Sequence, residues 1–499
     1  MFNNNINIGS QKLKINNAEV LGYYVSIDGE DFYKISNYDK MTPFFMSIVS
    51  CSDHWMFISS NGGLTAGRKN PDNALFPYYT DDIIHDSYEK TGSKTILKIK
   101  KEEKSYLWEP FSNSYQGIYN TERSIYKNIP GNKIIFEEIN HDLGVCFTYS
   151  WLNSEKYGFV KKSKIINRNN NEVTIEYLDG IQNILPYGVY QQFQTELSTL
   201  LDGYKKNELI KKLGIGIYSL SSIPSDKAEP SESLKATTVW STGVLADKYL
   251  LSSRQINKFR LGQEIDNEND IKAARGAYFI NGIISIENES SKEWIIAADI
   301  NKDSSNLTEL IEFLEKDDKV LQNVLRDIEV GTEGLIKIVA KSDGLQQTNN
   351  KLGTSRHFAN VLFNVMRGGF FDDSYLLDKT DFKLFVKTAN LNIFKSQKEF
   401  LESLESKIEL SVLQNKINSL NDNEFNKLAF EYLPLTFSRR HGDPSRPWNR
   451  FSIDIKDEEN NKVLNYQGNW RDIFQNWEAL AESYPGYIES MITKFLNGS

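Results

Sequence analysis

The sequence predicts a multidomain β-then-α protein, a large antiparallel β-sandwich followed by helical regions, and three observations support this. Across residues 20–300, twelve short runs rich in β-branched and aromatic residues are separated by Gly, Asn, Asp and Pro. Almost no helical period lies between them, which argues for packed antiparallel sheets rather than alternating βαβ units. From residue 307 to about 433 the apolar spacing turns helical, and from residue 432 a third region carries an amphipathic helix. A chain of 499 residues exceeds one ordinary core, so domains are expected at 1–300, 301–431 and 432–499.

The strand candidates begin with GYYVSI, FFMSIVSC, WMFISS and TILKIK. They continue through KIIFEEI, GVCFTYSW, GFVKKSKIIN and EVTIEYL to GIGIYSL, KATTVWST, GAYFINGIISI and EWIIAADI. Residues 187–212 interrupt the series with helix-like spacing and are expected to cap a sheet. In SSNGGLTAGR, the pair Gly62–Gly63 reads as a hairpin turn in which glycine supplies positive φ; the strand–loop–helix context of a phosphate cradle is missing. His141 in EINHDLG reads as a turn residue, and LDGIQNILPYG as a strand ending in an amide-rich loop. The helical stretch includes LTELIEFLEK, VLQNVLRDIE, HFANVLFNVMRG and EFLESLESKIELSVLQNKI, with charged residues on the outer faces. His357 reads as a surface or capping residue. The glycine pair of MRGGFFDD marks a helix end.

Composition narrows the function classes. Hydrophobic content of 39% and charged content of 25% describe a globular chain. A formal net charge of −9 disfavours nucleic acid and anionic membranes as partners. The N-terminal MFNNNINIGSQKLKI has no apolar leader and no long apolar run follows, so a cytoplasmic location is expected. Cys51 and Cys146 lie in apolar strand-like runs without CxxC or Cys/His spacing. Both are expected as buried thiols in a reducing compartment, and no metal or organic cofactor is expected. Aromatic content of 12% suits a large β-rich core and sugar-stacking clefts.

The stretch richest in candidate chemistry is residues 438–480. SRRHGDPSRPWNRF holds four arginines and one histidine, and YQGNWRDIFQNWEAL reads as the start of an amphipathic helix. Trp470, Phe474 and Trp477 form its apolar stripe, while Arg471, Gln475 and Glu478 share another face with Asp472 and Asn476 beside them. Hydrogen-bonding groups beside aromatic rings suit a sugar, and arginine forks suit a carboxylate or phosphate. The same pattern also describes a merely solvated helix face and a surface loop paired with acidic residues. At this level both readings stand.

With FFMSIVSCSDHWMFISSNGGLTAGR, LWEPF and GNWRDIFQNWEALAESYPGYIESMI in this order, the chain resembles the N-terminal part of the cellobiose-phosphorylase type of carbohydrate phosphorylases. That group is glycoside hydrolase family 94 and its relatives, including β-1,3-glucan phosphorylases. The first segment is similar to the family's early strand pair with its Ser-Asn-x-Gly-Gly turn, and the second to its Trp-x-Pro segment. The third is similar to its Gly-x-Arg-Asp-x-x-Gln-Asp helix, although Gly468 lies one residue further from the Arg-Asp pair and Asn476 stands where the family has Asp.

The resemblance implies a β-supersandwich, a helical linker and the start of an (α/α)6 barrel. It implies that Arg471, Asp472, Gln475 and Asn476 line a sugar subsite, and that an upstream arginine from among Arg439, Arg440, Arg446 and Arg450 reaches it. It further implies inverting phosphorolysis of a β-linked oligo- or polysaccharide to a sugar 1-phosphate, with inorganic phosphate as co-substrate. The general acid is then expected beyond Ser499, so the chain is expected to be a fragment or one piece of a split enzyme, inactive without a C-terminal half. Pairing through the sandwich as a homodimer is also implied. Two other readings remain: a non-catalytic carbohydrate-binding or assembly sandwich, and a glycoside hydrolase on the same scaffold.

Overall fold

The computed structural model describes residues 6–14, 16–225, 232–440, 442–446, 450–457, 461–467 and 473–498. These form two compact units, 1–333 with 443–448, and 334–442 with 449–499. Helix Ser304–Lys316 belongs to the first unit, past the sequence-based boundary at residue 300.

Among the described residues of the first unit, three larger sheets form, of eleven, five and four strands. The eleven-stranded sheet runs from edge strand Asp270–Lys272 through Lys205–Ile210, Ile215–Leu220, Ala236–Thr242 and Ser291–Lys302 to Gly158–Asn167. It continues through Val145–Ser154, Ile134–Asn140, Thr121–Asn128 and Glu30–Ser36 to Leu21–Ile27. The five-stranded sheet is ordered Lys104–Trp108, Gly92–Lys101, Val173–Ile184, Gly276–Ile286, Lys248–Leu250. The pairings are antiparallel, as the alternating sequences require; Phe136 lies opposite Tyr149, their rings stacked at 4.8 Å.

All twelve strand runs fold as strands. Glu30–Ser36, Lys104–Trp108 and Thr121–Asn128 are strands without a corresponding sequence signal, because charged residues break their apolar alternation. The helix-like reading of residues 187–212 is corrected: helices Gln191–Glu196 and Ser198–Asp202 give way to strand Lys205–Ile210, paired on both sides. LDGIQNILPYG is likewise strand as far as Ile184. Its amides are taken up inside the unit, Gln182 donating to the Glu89 carbonyl and Asn183 to Thr91 Oγ1. The Gly62–Gly63 hairpin forms as expected, with Gly62 at φ 96° and Gly63 pressed against the Ile84 carbonyl, where a Cβ would not fit. Cys146 is buried, which pushes its thiol up to about 12, whereas Cys51 is only half-buried.

Strand Ser291–Lys302 shows why residues 294–298 of EWIIAADI form an unbroken apolar run. Trp294, Ile296 and Ala298 face the main core with Phe147, Trp151, Tyr177 and Tyr278. Ile295 and Ala297 face the opposite way, against Trp240, Phe313, Val320 and Val324. One face packs on the five-stranded sheet, with Tyr177 and Trp294 ring centroids 5.3 Å apart. The other is covered by helices Ser304–Lys316 and Val320–Ala340. Asp303 starts the first of these helices with a reciprocal cap to Asn306.

Arg68, at the end of the glycine hairpin, donates to Asp53 and Asp299 at 2.8 Å each and to the Glu155 carbonyl at 2.9 Å. Burial alone would raise the Asp299 carboxyl, but Arg68 and then Lys302 outweigh it and hold it below the usual carboxylate range. A depressed carboxyl contributes stability that is present above its unfolded value and lost as pH falls through its folded one. Thermal melts of the first unit are therefore expected to be flat from pH 7 down to about 4 and to drop steeply below it. Arg68→Ala is expected to remove much of that acid-dependent step.

In the second unit, the long run EFLESLESKIELSVLQNKI is not one helix. It divides into helix Lys398–Ser403, strand Lys407–Glu409 and helix Leu410–Asn418, because residue 404 is extended and the strand pairs with Leu376–Asp378. Helices Lys379–Ala389, Leu391–Ser396 and Asn423–Phe430 lie in the same segment, and Phe382 on the first meets Tyr432, just past the last, edge-to-face.

Candidate functional site

The second unit brings the candidate stretch against the end of helix Lys351–Gly368. That helix stops at Gly369, which adopts φ 78° while its N–H closes the last turn on the Val365 carbonyl. A Cβ there would meet the Thr436 carbonyl oxygen at 2.8 Å. Gly369→Ala is therefore expected to cost about 1–3 kcal/mol, from left-handed backbone and crowding together. Chemical denaturation of the variant checks it.

Strand Phe370–Phe371 then pairs with Leu435–Thr436, and the chain leaves that bridge through Phe437, a buried non-glycine residue at φ 67°. This backbone is costly for a phenylalanine and is held by the contacts around it. Ser438 Oγ donates to the Arg367 carbonyl at 3.0 Å and accepts the Gln467 N–H at 3.1 Å. The Arg439 N–H bonds the Met366 carbonyl at 2.8 Å, and its guanidinium lies 4.6 Å from the centre of the Phe437 ring. The segment Ser438–Arg439 is thereby pinned beside Met366–Arg367, which brings two arginines to the same helix end.

Helix Ile473–Ser483 closes the arrangement. A Cβ on Gly368 would lie 3.0 Å from Asn476 Cβ, so this glycine permits the close approach of the two helices. Trp477 Nε1 donates to the Gly368 carbonyl at 3.4 Å. Asn476, Trp477 and Leu480 are buried, while Phe474 is 63% exposed and rests on Phe495. The expected stripe through Phe474 is thus displaced, because the buried face is set by the approach to Gly368 rather than by hydrophobicity alone.

Of the sequence-derived site residues, Gln475 is exposed on this helix, whereas Asn476 is 3% exposed and packed on Gly368. Arg471, Asp472 and Trp470 lie outside the described residues. Arg446 and Arg450 are both exposed and fall in different units, Arg446 in the first and Arg450 in the second. Arg440 is exposed and bridges to Ser452.

Sequence reading missed Arg367. Its Nε is buried and has no hydrogen-bond partner among the described residues. A buried cationic N–H without an acceptor is costly, and an anionic or hydroxyl-rich ligand would remove that cost. The available signal was an arginine placed directly before the Gly-Gly helix stop. Arg367, Arg439, Ser438 and Trp477 thus converge on the end of helix Lys351–Gly368, and the two guanidinium forks are donors of the kind that suit oxygen atoms of a sugar or an oxyanion. Among the described residues, no group of three or more His, Cys, Asp or Glu side chains could hold a metal ion. No helix there is long and apolar enough to cross a membrane.

Residues 371–434, within this same unit, match the model of glycoside hydrolase family 149 insertion domain 1. No curated protein matches the chain. Among solved structures, a bacterial glucoamylase complexed with acarbose is similar at 10% identity and a TM-score of 0.38, over 80% of this chain and 55% of that one. A kojibiose phosphorylase-type protein from the human microbiome gives 10% identity and a TM-score of 0.38, over 91% of this chain and 56% of that one. A galactose mutarotase-like protein from Clostridium acetobutylicum gives 8% identity and 0.27, over 57% and 99%. The chain spans about half the length of the first two. None of these findings singles out family 94; the family-level finding is the match of residues 371–434 to a glycoside hydrolase insertion domain.

Proposed function

We propose that this chain is part of a glycoside-cleaving enzyme acting on β-linked glucan, with inorganic phosphate as the acceptor and inversion at the anomeric carbon. The observation that carries the reading is the match of residues 371–434 to an insertion domain of a glycoside hydrolase family, in the same unit as Arg367 and Arg439. On this reading Arg367 and Arg439 hold the anionic oxygens in line with the anomeric carbon, the role that planar donor forks serve best. Arg471, Asp472 and Gln475 contact sugar hydroxyls, while Asn476 sets the helix against Gly368. A carboxylic acid protonates the departing glycosidic oxygen as phosphate attacks from the opposite face, so a β-linkage yields an α-configured sugar 1-phosphate. A glycoside hydrolase on the same scaffold, with water as acceptor, is the second reading, favoured by the name of the matched family.

The first test is equilibrium binding of α-glucose 1-phosphate to the protein by calorimetry. Saturable binding, competed by inorganic phosphate, is expected. Binding of a β-gluco-oligosaccharide without any affinity for the sugar phosphate would favour the hydrolase.

A further inference from the structure

The first unit contains a cavity that the proposed reaction does not use. It encloses about 340 Å³ between helix Ser304–Lys316 and the outer face of the eleven-stranded sheet. That volume lies in the range of small-molecule sites, ~300–1,000 Å³. One wall is aromatic: Tyr157 and Phe313 stack at 5.0 Å, and Trp240 meets both rings edge-on. The Lys156 ammonium lies 5.3 Å from the Tyr157 ring centre.

The polar lining has a specific balance. Lys156 and Lys302 face Asp299 and Glu309, two charges of each sign, with the Asn306 amide beside them. Asp299 is already committed to Arg68 and Lys302. Glu309 is exposed on the helix and has no ion-pair partner among the described residues. A charged ligand gains little from a wall of balanced charge, and a purely apolar one would leave these groups without hydrogen bonds. A neutral polyhydroxylated ring satisfies both conditions, its C–H face on the aromatic wall and its hydroxyls on Glu309, Asn306 and Lys156.

We propose that this cavity is a non-catalytic binding site for a sugar residue of a β-gluco-oligosaccharide, separate from the arginine pair of the second unit. The class of ligand follows from the cavity lining; the β-glucan identity rests on the proposed function.

The test is calorimetry with β-1,3- and β-1,4-linked glucohexaose on the 499-residue protein carrying Arg367→Ala and Gln475→Ala, which remove an anion contact and a sugar contact of the other site. At least one hexaose is expected to bind. Glu309→Trp, which fills the cavity from an exposed helix position, is expected to weaken that binding at least ~10-fold. Glu315→Trp, exposed on the same helix and outside the cavity lining, is expected to leave it unchanged. Binding that survives Glu309→Trp, binding lost equally in both variants, or no binding of either hexaose would overturn the proposal. If the hexaose binds here but sugar phosphate never binds the Arg367 protein, the catalytic reading fails and the cavity site stands.

Discussion

Lys161→Ala is expected to destabilise the first unit by about 3–5 kcal/mol, a large fraction of the stability of an ordinary domain. Lys161 and Asp179 are fully buried between the two main sheets, with Nζ 2.5 Å from the carboxylate. Burial pulls the Lys161 ammonium down, and Asp179 opposes that pull. Asp179 also accepts hydrogen bonds from Thr95 Oγ1 at 2.5 Å, Ser163 Oγ at 2.9 Å and Trp294 Nε1 at 2.8 Å. Removing the lysine leaves the carboxylate among three neutral donors in an aromatic core and opens a void beside it. The desolvation of an unpaired charge, rather than the lost attraction, sets the size of the effect. Lys161→Met fills the void while leaving the charge unpaired, so it is expected to recover only part of the loss. Urea denaturation of both variants separates the two contributions. Equal stability of Lys161→Ala and the parent would show that Asp179 is satisfied without its lysine.

Arg367→Ala is expected to weaken α-glucose 1-phosphate binding by about 1.5–3 kcal/mol, roughly 10- to 150-fold, with little loss of fold stability. The Arg367 Nε has no hydrogen-bond partner among the described residues, so its removal deletes an unsatisfied donor there. Its backbone carbonyl, which accepts the Ser438 hydroxyl, is retained by alanine. Arg367→Lys keeps the charge but loses the planar fork, and is expected to restore only part of the affinity. Arg446→Ala, at an exposed position, is expected to leave binding unchanged. A loss of affinity in Arg446→Ala with none in Arg367→Ala would move the phosphate contact to the sequence-derived arginine.

The sandwich was legible because its chemistry is local. A run such as KIIFEEI is rich in β-branched and aromatic residues and is buried at a period of two, and residues 294–298 within EWIIAADI are apolar throughout because both faces of that strand are covered. Strands such as Thr121–Asn128 escaped notice because Glu122, Arg123 and Lys127 interrupt the pattern. Their burial is supported by partners far along the chain, as with Lys127, whose ammonium donates to the Ser47 carbonyl at 2.8 Å. The candidate site was less legible for the same reason. The sequence drew attention to the arginines of residues 438–450, but which one reaches the end of helix Lys351–Gly368 depends on Phe437 turning the chain and on Ser438 bonding the Arg367 carbonyl. Arg367 itself lies over seventy residues upstream. Nothing local marks such a pairing. Phe474 was assigned to the buried stripe from spacing alone, whereas the missing side chain of Gly368 decides which helix face approaches.

The measurement that bears most directly on the central claim is turnover of β-gluco-oligosaccharides by the polypeptide of the whole reading frame, with and without inorganic phosphate. The account predicts phosphate-dependent release of α-glucose 1-phosphate, abolished or strongly reduced by Arg367→Ala. Equal cleavage without phosphate, releasing free glucose, would contradict phosphorolysis and assign the chain to a hydrolase.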